Sequence, residues 1–453
     1  MAKLCAVFTL VLIIAWVSVS VAQQSGPEFV VSLKPGQSIA KVTQGTGTRL
    51  TRQIPGQSVY LVQANPGNPD TVLQKLINNP SVAVAERNQS FRFDSGSGTL
   101  LPADANLVQS MAALLDGQTK MNFYGTDVLN AYVNQTALQI IRLKETRSIT
   151  TGAGTRVAYI DTGVDSDHPA LRPWLDPGID LVGSGSVSEF DGLSADLSAW
   201  VNRNTPTLLD NRLAFVLRQS MAALLDDGSG QTAPDLPIAF GHGTLVAGVL
   251  HVVAPESRIV PVRAFDTNGN TTLFTLAEGI YRASDLGVDV LNMSFSTTTV
   301  SETLRRSVLY AQGKGVALVA SAGNESGDAA GIFPAAYAQV TGVAATDFDD
   351  RLAIFSNYGT GISISAPGAF VVSTAPGGRY AMAWGTSFSA PIVAGSIALV
   401  SSVTPRGYSS DAMVITTADS IDDKNPGYER QLGKGRVDVM NALKTRRPPG
   451  PPN

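Results

Sequence analysis

Val157-Ala158-Tyr159-Ile160-Asp161-Thr162-Gly163-Val164-Asp165 is an apolar run that ends on an acid and a glycine turn. A run this short, without polar alternation, predicts a strand buried on both faces. Ile259-Val260-Pro261-Val262, Val288-Asp289-Val290-Leu291 and Val316-Ala317-Leu318-Val319 have the same character, each beside a helical stretch. Strands alternating with helices predict an α/β fold, a doubly wound and mostly parallel sheet, over residues 126–445. Ligands of such sheets bind beyond the carboxyl ends of the strands. Asp161 stands at one such end, where a carboxylate is costly to bury unless it accepts hydrogen bonds. Orienting an imidazole is one reason to keep it there.

The whole chain has 453 residues, 44% hydrophobic and 15% charged, with a formal net charge of -4. That balance excludes a disordered charged tail protein and gives no electrostatic footprint for nucleic acid or anionic lipid. Glycine, 43 of 453, exceeds the typical ~7% and predicts many tight turns. The single cysteine is Cys5, so the rest of the chain holds no disulfide, zinc-thiolate site or cysteine nucleophile. An imidazole mechanism must choose among His168, His242 and His251.

Lys3, an uncharged run from Leu4 to Val21 and Ser20-Val21-Ala22 before Gln23 predict a secretory signal over 1–22 and a secreted or periplasmic protein. The alternative is an uncleaved membrane anchor, because about 18 apolar residues can just span a bilayer. Residues 23–93 predict a small α+β module, with strands at Phe29–Leu33, Val59–Val62 and Val82–Glu86 and a helix from Asp70 to Asn78 capped by Asp70. Residues 94–125 predict a linker with a processing site, 183–238 an insertion at the rim of the cleft, and 446–453 an extended Pro-rich tail. Gln109–Asp116 recurs without change as Gln219–Asp226. The plain expectation is two short amphipathic helices on neighbouring surfaces; the sharper one is that both copies compete for one groove.

Two further segments carry chemistry. In Gly241-His242-Gly243-Thr244 glycines flank the ring and let another element approach it. His168 reads as a turn residue and His251 as a packed or surface residue. In Gly385-Thr386-Ser387-Phe388-Ser389-Ala390-Pro391, Pro391 suits the first turn of a helix. That puts Ser387 at or just before a helix N-terminus, where unpaired amides favour a developing oxyanion. An ordinary N-cap is the alternative for such a serine.

The order Asp161, His242, Ser387, together with Asn324 in Ala320-Ser321-Ala322-Gly323-Asn324-Glu325 and with Ser365-Ala366-Pro367-Gly368, resembles the subtilisin-like serine proteases, the subtilases. The resemblance implies a subtilisin-like fold and a serine endopeptidase made as an autoinhibited zymogen. Ser387 would attack the scissile carbonyl, His242 would take and return the proton, Asp161 would orient the imidazolium, and Asn324 with the Ser387 amide would hold the oxyanion. Substrate would pair with backbone near Leu291–Ser296 and Ala320–Gly323, lined by Ser294, Phe295, Ser296, Ser321, Gly323 and Ile332. The first module looks like the family's propeptide, a ferredoxin-like intramolecular inhibitor. Polypeptides are the implied substrates, and no cofactor is required for the chemistry. Structural calcium is common in the family, but no ligands can be assigned and Asp165 and Asp167 read as turn residues.

Serine at 294 and 296, Trp384, Phe388 and Ile332 depart from the usual pattern around the cleft. The rival readings are a catalytically impaired binding protein that retains its prosegment, and an esterase or transacylase using the same acyl chemistry.

Overall fold

The computed structural model describes residues 26–92, 119–203, 236–405 and 407–445. The signal segment, residues 94–118 of the expected linker, both copies of the repeat and the tail lie outside them.

The main sheet has seven parallel strands in the order Ile364–Pro367, Thr341–Thr346, Ala317–Ser321, Val290–Met293, Arg156–Asp161, Arg258–Arg263 and Ile179–Asp180. Alternate residues of the Arg156–Asp161 strand serve opposite layers. Val157 and Tyr159 pack with helices His242–Val253 and Thr386–Ser401, whereas Ala158 and Ile160 pack with helices Leu273–Asp285 and Glu302–Gly313. Because both faces are covered, both sets of side chains are apolar, which is why the strands read as uninterrupted runs. From the Arg156–Asp161 strand the chain builds first to one side, at Arg258–Arg263, and then to the other, at Val290–Met293. The sheet therefore reverses direction at the carboxyl end of the strand that carries Asp161, the place where crevices open in open α/β sheets.

The first module is a four-stranded antiparallel sheet in the order Thr48–Gln53, Val59–Ala64, Glu28–Leu33, Val82–Arg87, with helices Ile39–Thr46 and Pro69–Ile77. The second strand and first helix were not expected. Thr48–Gln53 is a largely exposed edge strand, and the helix is only two turns long with Val42 and Thr46 its buried residues, so neither stands out as an apolar run. The cap of the second helix is Asn68, whose side chain accepts from the Asp70 amide at 2.9 Å with Pro69 in the first turn; Asp70 is not the cap.

Phe29, Val31 and Val62 pack under the module's own helices, while Val30, Ile54, Val59 and Leu61 pack into the cluster of Phe274 and Tyr281 in the large domain. Arg52 pairs with Glu278 at 2.5 Å, and Glu86 accepts from the Ser301 hydroxyl and the Glu302 and Thr303 amides, each at 2.9 Å. A carboxylate at those amides satisfies donors that open a helix. The Asn88 side chain accepts similarly from the Phe274 amide at 3.0 Å. Ser90–Arg92 then pairs antiparallel with Asn270–Thr272.

The expected boundary at residue 125 cuts through a hairpin. Lys120–Phe123 pairs with Thr126–Leu129 across Tyr124-Gly125, both at positive φ, as a two-residue hairpin turn requires. Tyr-Gly lacks the usual Asn-Gly or Asp-Gly signature. No helix among the described residues is long and apolar enough to cross a membrane.

Candidate active site

Asp161 is the last residue of its strand and is fully buried. Its Oδ1 accepts from the Thr162 amide at 2.8 Å and lies 2.7 Å from His242 Nδ1. An ionised carboxylate can only accept, so Nδ1 carries the proton and Nε2 is the basic nitrogen. His242 opens helix His242–Val253 after Gly241, which has φ 94°. At Gly243 a Cβ would come 2.1 Å from the Gly163 carbonyl oxygen, so glycine lets the helix start press against the turn after Asp161.

Ser387 is the second residue of helix Thr386–Ser401. Pro391 is the sixth, beyond the first turn where it was expected. A proline there has no N–H for the carbonyl four residues back, which is that of Ser387. The Ser294 hydroxyl donates to that carbonyl instead, at 2.9 Å, and itself accepts from Asn292 Nδ2 at 2.8 Å. The proline thus ties the serine to the Ser294 segment. Ser387 Oγ donates to the Ser294 carbonyl at 3.4 Å, a weak bond. The next ring along, Phe388, lies 5.7 Å from the His242 ring, so the two helix starts meet beside the imidazole.

Thr386 Oγ1 accepts from the Gly323 amide at 3.2 Å and donates to Asn324 Oδ1 at 3.0 Å; the Thr386 amide donates to the same oxygen at 2.9 Å. With its carbonyl end held in this way, the Asn324 side chain has its NH2 as the end able to donate elsewhere.

Ser294, Phe295 and Ser321 are buried and Ser296 is half-buried. Ser321 Oγ reaches the Phe295 carbonyl at 3.5 Å, and Thr297 and Phe333, the latter next to Ile332, exchange backbone hydrogen bonds at 2.8 Å. The segments 294–297, 321–324 and 332–333 therefore adjoin. Leu291–Met293 and Ala320 are paired on both sides inside the sheet, so of the two stretches expected to meet substrate only 294–296 and 321–323, beyond the strand ends or paired on one side, have backbone to offer. The edge in use is Asn270–Thr272, which sequence reasoning missed because three polar residues before a helix look like a loop.

Glu189 was also missed. It lies at the start of the expected insertion, in a Ser-rich stretch with no apolar period, yet it is fully buried. Its carboxylate accepts from the hydroxyls of Thr162 and Thr244, from the Gly243 amide at 3.1 Å and from the Gly241 amide at 3.2 Å. Burial pushes its carboxyl above the ordinary range, and the bonds from Thr162, Thr244 and Gly243 oppose that.

His168 and His251 stand apart from this centre. His168 is buried in its turn, with Nε2 2.7 Å from the Arg379 carbonyl. His251 is packed rather than solvated, its ring 6.0 Å from Trp174 and 6.4 Å from Tyr132. Burial pushes it down to about 3, helped by the nearby charges of Arg147 and His168. The unfolded value is near 6.5, so as pH falls the unfolded chain takes up this proton first. Stability from the neutral ring is complete above pH ~6.5 and is lost toward pH 3 at about 1.4 kcal/mol per unit. His251→Phe, in a Ser387→Ala chain that cannot digest itself, should lose less melting temperature between pH 7 and 4.5 than its parent. Equal losses in the two would refute this role.

Among the described residues no cluster of three or more His, Cys, Asp or Glu could hold a metal ion.

Residues 152–435 match the model of the subtilase family. The chain is 33% identical over 378 residues to a thermophilic serine proteinase of Bacillus sp. (strain AK1), covering 83% of this chain and 76% of that protein. It is 31% identical over 315 residues to thermitase of Thermoactinomyces vulgaris, covering 67% and 94%. In three dimensions it resembles fervidolysin from Fervidobacterium pennivorans, a keratinolytic enzyme related to subtilisin, with a TM-score of 0.65 over 94% of this chain and 62% of that one. At 21% identity that likeness speaks for the fold alone. With the family model spanning most of the chain and the parallel sheet in place, the protein belongs to the subtilases, the subtilisin-like serine endopeptidases.

Proposed function

We propose that the chain is a catalytically competent, secreted endopeptidase that hydrolyses polypeptides through an acyl-enzyme on Ser387, and that residues 23–93 are its inhibitory propeptide. The observation that carries the reading is the 2.7 Å bond between Asp161 and His242 Nδ1, which leaves Nε2 as the base. Ser387 Oγ leaves its weak bond to Ser294, passes its proton to Nε2 and bonds to the scissile carbonyl carbon. The carbonyl π electrons move to oxygen, where the Asn324 NH2 and the Ser387 amide stabilise the charge. Collapse breaks the C–N bond, and the proton on Nε2 goes to the leaving amine. Water then repeats the sequence on the ester and frees Ser387. Asn324→Ala should fold and turn over about 10² to 10³ more slowly, a scale set by the loss of the equivalent donor in subtilisin. Kinetics on a mixed peptide library and an ester panel check this: near-parental peptide turnover removes Asn324 from the role, and hydrolysis of esters alone favours the esterase reading.

The inhibitory reading rests on Ser90–Arg92, which occupies the edge strand Asn270–Thr272 as an extended substrate would, and on the apolar face that the module buries against the two outer helices. Ile332, 9% exposed beside Phe333, would shorten the main specificity pocket and favour small side chains before the cleaved bond.

A further inference from the structure

We infer that Glu189 is a positioning residue for the catalytic histidine: an ionised strut that clamps the start of the His242 helix onto the turn after Asp161. The inference rests on the reading of Asp161, His242 and Ser387 as the catalytic set.

The two hydroxyls that meet Glu189 are themselves held by outer partners. Thr162 Oγ1 accepts from the Gly243 amide at 3.0 Å, and Thr244 Oγ1 accepts from the Asp165 amide at 2.8 Å. Each hydroxyl keeps a proton that it can give to Glu189, and Thr162 Oγ1 also lies 3.3 Å from Asp161 Oδ1, between the two carboxylates. The Gly241 and Gly243 amides can only donate. Two backbone amides and two hydroxyls converge on one group, an arrangement that favours the anion against the burial and the nearby Asp161 charge that oppose it.

Those donors come from both sides of the catalytic pair. Thr162 follows Asp161 on the strand, while Gly241 and Gly243 flank His242 and Thr244 begins the next part of its helix. The side chain of one residue therefore joins the two elements whose relative placement sets the Asp161–His242 bond. The joint is rigid, because every bond in it is buried and ends on backbone or on a short hydroxyl side chain.

The loop that delivers Glu189 is itself fastened. Arg263, 1% exposed at the end of the neighbouring strand, donates to the Ser184 hydroxyl and the Ser188 carbonyl at 2.6 Å and to the Ser186 carbonyl at 3.2 Å. The Val164 amide donates to the Val187 carbonyl at 2.9 Å. The first residues of the expected rim insertion thus run inward as a support for the centre.

The test compares the full-length parent with Glu189→Gln, Glu189→Ala and Ser387→Ala, active sites being counted by titration with a fluorophosphonate. Per active site, Glu189→Ala should lose about 10²-fold in kcat with KM within twofold of the parent. Glu189→Gln keeps the acceptor for the glycine amides but not the charge, and should recover at least tenfold of that loss. If Glu189→Ala does not fold, Glu189→Gln alone decides, with an expected three- to tenfold loss in kcat at unchanged KM. Parental kcat in the Gln variant, or losses confined to KM or to the number of active sites, would overturn the positioning role. Parental activity in Ser387→Ala would instead overturn the underlying reading, so the two failures are told apart.

Discussion

Ser387→Ala should accumulate as one unprocessed chain and lose about 10⁶ in turnover of a peptide amide. The scale was measured on subtilisin and carries over as an expectation. The physical reason is that no other hydroxyl among the described residues shares its setting. Ser387 combines a helix start, a carbonyl released by Pro391 and held by Ser294, and a neighbour packed against the His242 ring. Thr386, one residue before, has its hydroxyl committed to Asn324, and Ser389 is fully buried. Alanine removes only the Oγ and its 3.4 Å bond, so the fold should persist and melting should change little. Purification of the variant and the parent in parallel, followed by intact mass, reads processing directly. Equal cutting of both chains would mean that processing is done by another protease.

Asp161→Ala should reduce kcat about 10⁴-fold, again on a scale set in subtilisin and chymotrypsin-type enzymes. Two losses combine. The imidazole loses the acceptor that keeps its proton on Nδ1, and the imidazolium formed during attack loses its counter-charge in a site where both residues are buried. Asp161→Asn separates them. Its amide oxygen can still accept from the Thr162 amide and from Nδ1, so it keeps orientation and gives up charge. It should sit between Ala and the parent in kcat, with KM little moved. Parental turnover in the Asn variant would show that charge beside His242 is dispensable.

Much of this architecture was legible because its signals are local. A strand buried on both faces must be apolar at every position, so Val157–Ile160 and Val316–Val319 stand out. A ring flanked by Gly241 and Gly243 marks a close approach, and Gly163 supplies it. The features that escaped have their causes elsewhere in the chain. Glu189 is one acid among many until the tertiary structure brings Thr162 and Thr244 around it. Asn270–Thr272 becomes an edge strand only because Ser90–Arg92 lies against it. The displacement of Pro391 from the first turn depends on Ser294 to receive the carbonyl it leaves behind, a partner 93 residues away. The helix Ile39–Thr46 is too short to stand out and the hairpin at Tyr124-Gly125 lacks the usual turn residues, and tertiary packing decides both.

The central claim is that an activated hydroxyl at Ser387 does the chemistry. Treating the processed protein with a fluorophosphonate and mapping the adduct by mass spectrometry tests it most directly. One adduct per chain on Ser387, lost in His242→Ala although that variant remains folded, is the predicted result. A folded, peptide-cleaving protein that takes no label at Ser387, or takes it equally without His242, would contradict the account.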